Sequence, residues 1–256
     1  MPAHAPDPET DLFRPYAEVL LRFAQAAAER TGRPLSDAAL EVTNLHRRLG
    51  FGRIENGVPA PQWRAFAEGL DAGPTPAARL DWTVAAFAAS ISGAAPPAPG
   101  GQAEFGCFSY ELLEDDEVVR IHFTNREDDP DQSPLVQAKI ARRRAELQAL
   151  FADVRARAPA ARRVRGGSWL YNLEAYRRLF PAAYVASIRT PPSVRLTGTS
   201  TWGQLLDFRG RVKPAARAAL LANLPRLDPA APWTAFPLRA LDAECEVEAF
   251  YSAYGV

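Results

Sequence analysis

The sequence predicts a chain in two parts: an N-terminal helical region of about four helices, then an α/β or α+β domain built on a small mixed sheet. Three observations predict it. Apolar residues recur at helical spacing from Leu12 to Ser92. The run Gly93 to Gly101 that follows is nine residues of glycine, proline and alanine, which cannot build a core and read as a linker. Beyond it, short alternating stretches are interleaved with helical ones, the pattern of a sheet covered by helices. The expected boundaries are a disordered tail over 1–9, the helical region over 10–92, the linker over 93–103 and the α/β domain over 104–256.

Each helix of the first part has its own signal. Phe13, Tyr16, Val19, Leu20 and Phe23 form one apolar stripe, closed by Gly32 as a C-terminal cap. Ser36 is placed to cap a second helix whose face is Leu40, Val42, Leu45 and Leu49, ending at Gly50. Pro59 to Leu70 predicts a third, with Trp63, Phe66 and Leu70 inward. Thr75-Pro76 is a cap followed by proline at the first helical position, and opens a fourth helix burying Leu80, Val84, Phe87 and Ile91.

After the linker, 104–113 and 117–124 alternate like the two strands of a hairpin. Ser133-Pro134 opens a long helix to about Arg157. The stretch from Arg163 to Leu170 reads as a strand feeding a helix over 173–180, with Asn172 as its N-cap. A weaker strand is expected at 194–197, a helical turn near Trp202–Leu206, and a helix from Pro214 to Leu224. The C-terminus again reads as strand then helix, over 235–241 and 244–254.

Composition narrows the function classes. The 256 residues carry 30 basic and 30 acidic side chains, so no whole-molecule attraction to nucleic acid or to an anionic membrane is expected. No run approaches the roughly 18 apolar residues of a membrane span. The N-terminus shows neither the basic start nor the apolar core of a signal peptide. The two cysteines, Cys107 and Cys245, are too few for a disulfide framework and read as free thiols in a reducing compartment. A cytoplasmic location is expected. Phosphate-loop, dinucleotide-fingerprint, nucleophile-elbow and zinc-protease motifs are all absent, and three histidines do not suggest a metal centre. The sequence names no cofactor.

The candidate site residues fall in three places. On the strand 118–124, parity sets Val119, Ile121 and Phe123 on one face and Val118, Arg120, His122 and Thr124 on the other. Arg120 can contact an anion and His122 can serve as acid or base two residues away, with Asn125 at the strand's exit. The same pattern also fits a hairpin strand with its polar face in water. At the second place, Gly166 and Gly167 allow close approach of backbone or ligand, beside Trp169, Tyr171 and Asn172. The third holds Trp202 and Gln204. These aromatic clusters read first as core anchors, with a pocket lined by both patches as the alternative.

Two charged stretches are weighed as well. The loop 125–133 holds four carboxylates, but its spacing matches no calcium loop and it reads as a solvated acidic loop. Lys139 to Arg165 contains nine basic residues, with Arg142, Arg143 and Arg144 fanning around a helix rather than forming a stripe.

The part after the linker resembles a GNAT acetyltransferase in its order of hairpin, long helix, strand and helix, and in its aromatic, glycine-closed ending Ala249-Phe-Tyr-Ser-Ala-Tyr-Gly-Val256. The resemblance implies acyl transfer. It departs from the family where a glycine-containing pyrophosphate loop should precede the long helix, because the acidic loop stands there, and where further strands should follow the last helix. Two function classes follow from the whole reading: an enzyme or binding protein for a small anionic molecule, or a non-catalytic module that binds a partner protein.

Overall fold

A proline opens the first helix earlier than the apolar stripe predicts. α1 spans Pro8–Thr31, with Glu9 and Asp11 in its first turn. Proline is tolerated there because the first N–H groups have no intrahelical partner, and the acids complement the helix dipole. Residues 8 and 9 of the expected tail are therefore helical. The structure is a computed structural model that describes residues 8–54, 57–93, 104–127, 129, 131–198 and 200–256; the rest of the tail and, apart from Gly93, the expected linker lie outside them. The chain divides into two units, Met1–Ala98 with Ser193–Pro237, and Pro99–Pro192 with Leu238–Val256.

In the first unit, all five residues of the α1 stripe are buried. Phe13 stacks on Phe87 with ring centroids 3.9 Å apart. The second expected helix is broken in two: α2 covers Leu35–Val42 and α3 Leu45–Arg48. Thr43 and Asn44 interrupt it, because their side chains bond elsewhere and compete with the helical ladder. The Thr43 hydroxyl donates to Ala39 O and accepts from the Leu45 N–H, while the Asn44 amide pairs with the Tyr16 hydroxyl. Ser36 is not the cap of α2. It lies one residue inside, and its N–H and hydroxyl both donate to the Asp71 carboxylate, at 3.0 and 2.6 Å. That carboxylate belongs to α4 (Gln62–Ala72), which buries Trp63, Phe66 and Leu70 as expected. α5 (Pro76–Ser92) is capped as predicted: the Thr75 hydroxyl accepts the Ala78 N–H at 3.1 Å.

His46 is buried in this unit. Its Nε2 accepts the Ala60 N–H at 2.9 Å, so Nδ1 carries the proton and donates to Gly52 O at 3.2 Å. Burial pushes its pKa below the usual imidazole value, although the Gly52 carbonyl pulls the other way. A lowered folded pKa means that the unfolded chain takes the proton first as pH falls. Stability should therefore decline below about pH 6.5, by up to ~1.4 kcal/mol per pH unit. Urea titrations between pH 7 and 5 check this: His46→Gln should flatten the slope, and an unchanged slope would remove His46 as its source.

Residues 193–237 join this helical core. The expected strand at 194–197 is absent; a 3-10 turn covers Thr201–Leu205 and a helix Pro214–Asn223. Leu196, Trp202, Leu205, Leu220, Leu227 and Phe236 all belong to the core cluster of α1. The expected single domain over 104–256 is thus interrupted, because this segment carries the aromatic and leucine surface that closes over Phe23.

The second unit holds one five-stranded sheet in the order β1 (Glu104–Phe105), β2 (Phe108–Leu113), β3 (Val118–Phe123), β4 (Arg163–Ser168) and β5 (Leu241–Glu246). Neighbours run antiparallel except β3 and β4, which are parallel and joined through the long helix α6 (Ile140–Arg157). The fold is therefore mixed α and β, as predicted. Along one face, Phe108, Tyr110, Val119, Ile121, Val164 and Ala243 enter a core with Leu147, Leu150, Phe151 and Val154 of α6. The last strand lies later than expected, at Leu241–Glu246 instead of 235–241, while the last helix starts at Val247 instead of 244 and ends at Tyr254 as expected, before Gly255 in the left-handed conformation. Among the described residues no helix is long and apolar enough to cross a membrane.

Candidate functional site

The opposite face of the sheet is built by strand parity. Because the core takes Val119, Ile121, Val164, Ala243 and Cys245, the alternate residues Arg120, His122, Arg163, Arg165, Asp242 and Glu244 point the other way. Register then lines up a row across four strands: Glu111 pairs with Arg120, Arg120 with Arg165, and Arg165 with Glu244.

Arg120 and His122 converge on one carboxylate. Glu111 Oε1 lies 3.1 Å from His122 Nε2 and 3.4 Å from Arg120 Nη1. The Glu111 side chain is 19% exposed, against 48% for Arg120 and 31% for His122, so the carboxylate sits below two accessible donors. A carboxylate in that position orients an imidazole.

Arg163 and Arg165 close a ring of four charges with Glu114 and Glu244, all four contacts between 2.7 and 2.9 Å. Burial opposes the Glu244 charge, yet the hydrogen bonds and charges of Arg165 and Arg163 hold its pKa below the usual carboxylate range. The hydrogen bond that Arg165 donates to Glu244, with the one it donates to Glu114, holds it all the more firmly charged. Glu114 reaches this ring from the hairpin turn, where Glu114, Asp115 and Asp116 have φ of 53°, 54° and 69°. Left-handed backbone disfavours residues with a Cβ, so the two ion pairs of Glu114 help to hold a strained turn.

Asp242, in contrast to Glu244, has its carboxyl pKa raised. Desolvation raises its pKa, and Glu244 adds to this, while the charges of Arg189, Arg120 and Arg165 oppose it. Its carboxylate lies over Gly167, where an added Cβ would stand 2.9 Å from Oδ1. Arg189 is brought alongside by backbone hydrogen bonds with Asp242 in both directions, each 2.9 Å.

The structure brings together Arg120, His122 and the outer surface of Gly167, but disperses the other predicted site residues. Gly166 faces inward: a Cβ there would lie 2.2 Å from the Tyr171 hydroxyl and 2.4 Å from that of Tyr184. Those hydroxyls bond each other at 2.7 Å, and Tyr171 is buried. The close approach that this glycine permits is therefore filled by the protein's own core. Asn172 is not an N-cap; Leu173 precedes the short helix α7 (Glu174–Arg177). The Asn172 amide donates instead to Trp169 O and Arg239 O, at 2.7 and 2.8 Å. Trp169 is half-buried in the 3-10 turn before it. Asn125 is exposed, and its Oδ1 accepts the Glu127 N–H at 3.2 Å. Trp202 and Gln204 belong to the other unit, and both are buried.

The acidic loop is tied to the basic start of α6. Glu127 pairs with Lys139, Arg142 and Arg143, and Asp129 with Lys139. Among the described residues no cluster of histidine, cysteine and carboxylate side chains is arranged to hold a metal ion.

Sequence reasoning missed Glu111, Arg165, Arg189, Asp242 and Glu244. Strand parity would have found Asp242 and Glu244, had the last strand been placed at 241–246 rather than 235–241. Arg165 emerges only from the parallel register with Arg120. Set beside known proteins, the chain matches no protein-family model, no curated protein and no solved structure, so its reading rests on its own geometry.

Proposed function

We propose that the polar sheet face binds a small anionic molecule, with Arg120 contacting the anion and His122 serving as acid or base. The convergence of these two side chains on Glu111 supports this reading most directly. The carboxylate orients both donors while leaving them accessible, which is what a preorganised anion contact needs. Arg165 and Arg189 add positive charge around the half-buried Asp242, whose raised pKa favours proton exchange nearer neutrality than an ordinary aspartate. Acyl transfer is the reaction implied by the resemblance to GNAT acetyltransferases, and acyl-CoA esters therefore lead the ligand panel.

The test is a thermal-shift screen with acyl-CoA esters, nucleotides, sugar phosphates and amino acids. A ligand at ~100 times its dissociation constant should stabilise by about 2.7 kcal/mol. Arg120→Ala and His122→Ala should each weaken the hit by about tenfold or more. Their own stability should change by less than about 1 kcal/mol, because both side chains stand on an accessible face. If both variants unfold, the pair is structural and the site reading fails. A silent screen, with a co-purifying protein and no effect of His122→Ala on that association, supports the partner-binding class instead.

A further inference from the structure

We propose that the helical unit carries a second site, a groove that binds a single-chain fatty carboxylate. This does not depend on the sheet-face reading. The groove has a volume of about 710 Å³ and is lined by α1, the starts of α2 and α5, and the end of helix 214–223 with the residues after it. That size suits a small-molecule site. Its apolar lining includes Leu21, Leu35, Leu80, Leu221 and Leu224.

The charged residues around it are unequal in their commitments. Glu18 is neutralised by Arg22 at 2.7 Å and Arg217 at 3.1 Å. Glu29 accepts from Gln25 Nε2 at 2.9 Å. Arg79 is held by two neutral acceptors: its Nε donates to Gly73 O at 2.9 Å and its Nη1 to Gln25 Oε1 at 3.1 Å. Arg30 donates to the Pro225 carbonyl. Among the described residues neither Arg30 nor Arg79 has a carboxylate partner, and Arg79 keeps Nη2 unused in a guanidinium fixed at two points.

Two guanidinium groups against one carboxylate, Glu29, leave a net positive rim over an apolar floor. A wholly apolar ligand would leave the rim unmatched. A compact anion such as phosphate would leave the floor in water. A chain with one anionic head satisfies both, and the planar fork of arginine suits a carboxylate.

The test is calorimetric titration of the full chain with decanoate, decan-1-ol and inorganic phosphate, with the amphiphiles below their aggregation concentrations. Decanoate should bind at least about tenfold more tightly than decan-1-ol, and phosphate should not displace it. Arg79→Gln should abolish that preference while leaving alcohol binding unchanged. Arg30→Gln, at an exposed position, should reduce it in the same direction and serves where Arg79→Gln fails to fold. Arg120→Ala should leave decanoate affinity unaltered, which separates this site from the sheet face. Equal binding of acid and alcohol would overturn the proposal, as would no binding by the unmodified protein or loss of decanoate in Arg120→Ala.

Discussion

Arg143→Ala is expected to destabilise the sheet-bearing unit by about 3–5 kcal/mol, while Arg144→Ala, one residue along, changes it by less than about 0.5 kcal/mol. Arg143 is buried in α6, with its side chain only 1% exposed, and its Nη2 pairs with Glu127 and Glu146, themselves 2% and 11% exposed. The other terminal nitrogen contacts Cys107 Sγ, and Nε has no partner. Glu146 also accepts the Cys107 N–H at 3.1 Å, so the cluster ties α6 to the start of β2. Truncation would leave two largely buried carboxylates short of a counter-charge, and that desolvation penalty is the main source of the loss. Amide exchange in β2 and β3, together with urea unfolding, reads the effect. A loss under about 1 kcal/mol would show that Lys139 and Arg142 replace the missing charge. The same cluster sets an acid limit. Burial disfavours the Glu127 charge, but Lys139, Arg143 and Arg142 outweigh it and hold the pKa below the usual value. A lowered folded pKa contributes stability above the unfolded value, near 4.5, that is lost as pH falls through the folded one.

Trp202→Ala is expected to cost the helical unit about 3–5 kcal/mol. The indole is fully buried. It meets Phe236, Phe23 and Tyr16 edge-on, with centroids at 4.8, 5.2 and 6.5 Å, and its N–H donates to Leu196 O at 2.9 Å. Removing it would open a cavity among rings from two distant chain segments that cannot collapse together, and would leave a buried carbonyl unpaired. Urea unfolding monitored by exchange of α1 amides checks the magnitude. A near-neutral stability change with lost ligand binding would instead make Trp202 a pocket wall.

The elements legible in the sequence were those decided within a few residues. The α1 stripe, the Thr75-Pro76 start of α5 and the parity of Val118–Phe123 all follow from local spacing. Where the structure departed from expectation, a distant group intervened. The N-terminus of α2 is served by Asp71, 35 residues from Ser36. The helix break at Thr43 and Asn44 depends on the Tyr16 hydroxyl from α1. Arg142, Arg143 and Arg144 are equivalent as letters, and only the way α6 packs selects the middle one for burial.

The candidate site was half legible. Arg120 and His122 share a face by parity alone, so their pairing could be read directly. Glu111 needed the hairpin register, Arg165 the parallel register across α6, and Asp242 the true position of β5. The glycine pair shows the reverse case: both residues permit close approach, but Tyr171 and Tyr184 take the space beside Gly166, and Asp242 takes the space over Gly167.

By itself the sequence determined the class of fold, the helical first part and the polar face of β3, because each depends on the period of apolar residues along one segment. Only the tertiary structure decided that 193–237 completes the helical core, which arginine is buried, and which carboxylates meet Arg120 and His122. Those outcomes turn on burial of apolar surface and pairing of charge between separate elements, from the two strands of one hairpin to segments far apart in the chain, and local periodicity carries no information about which other element will supply the partner.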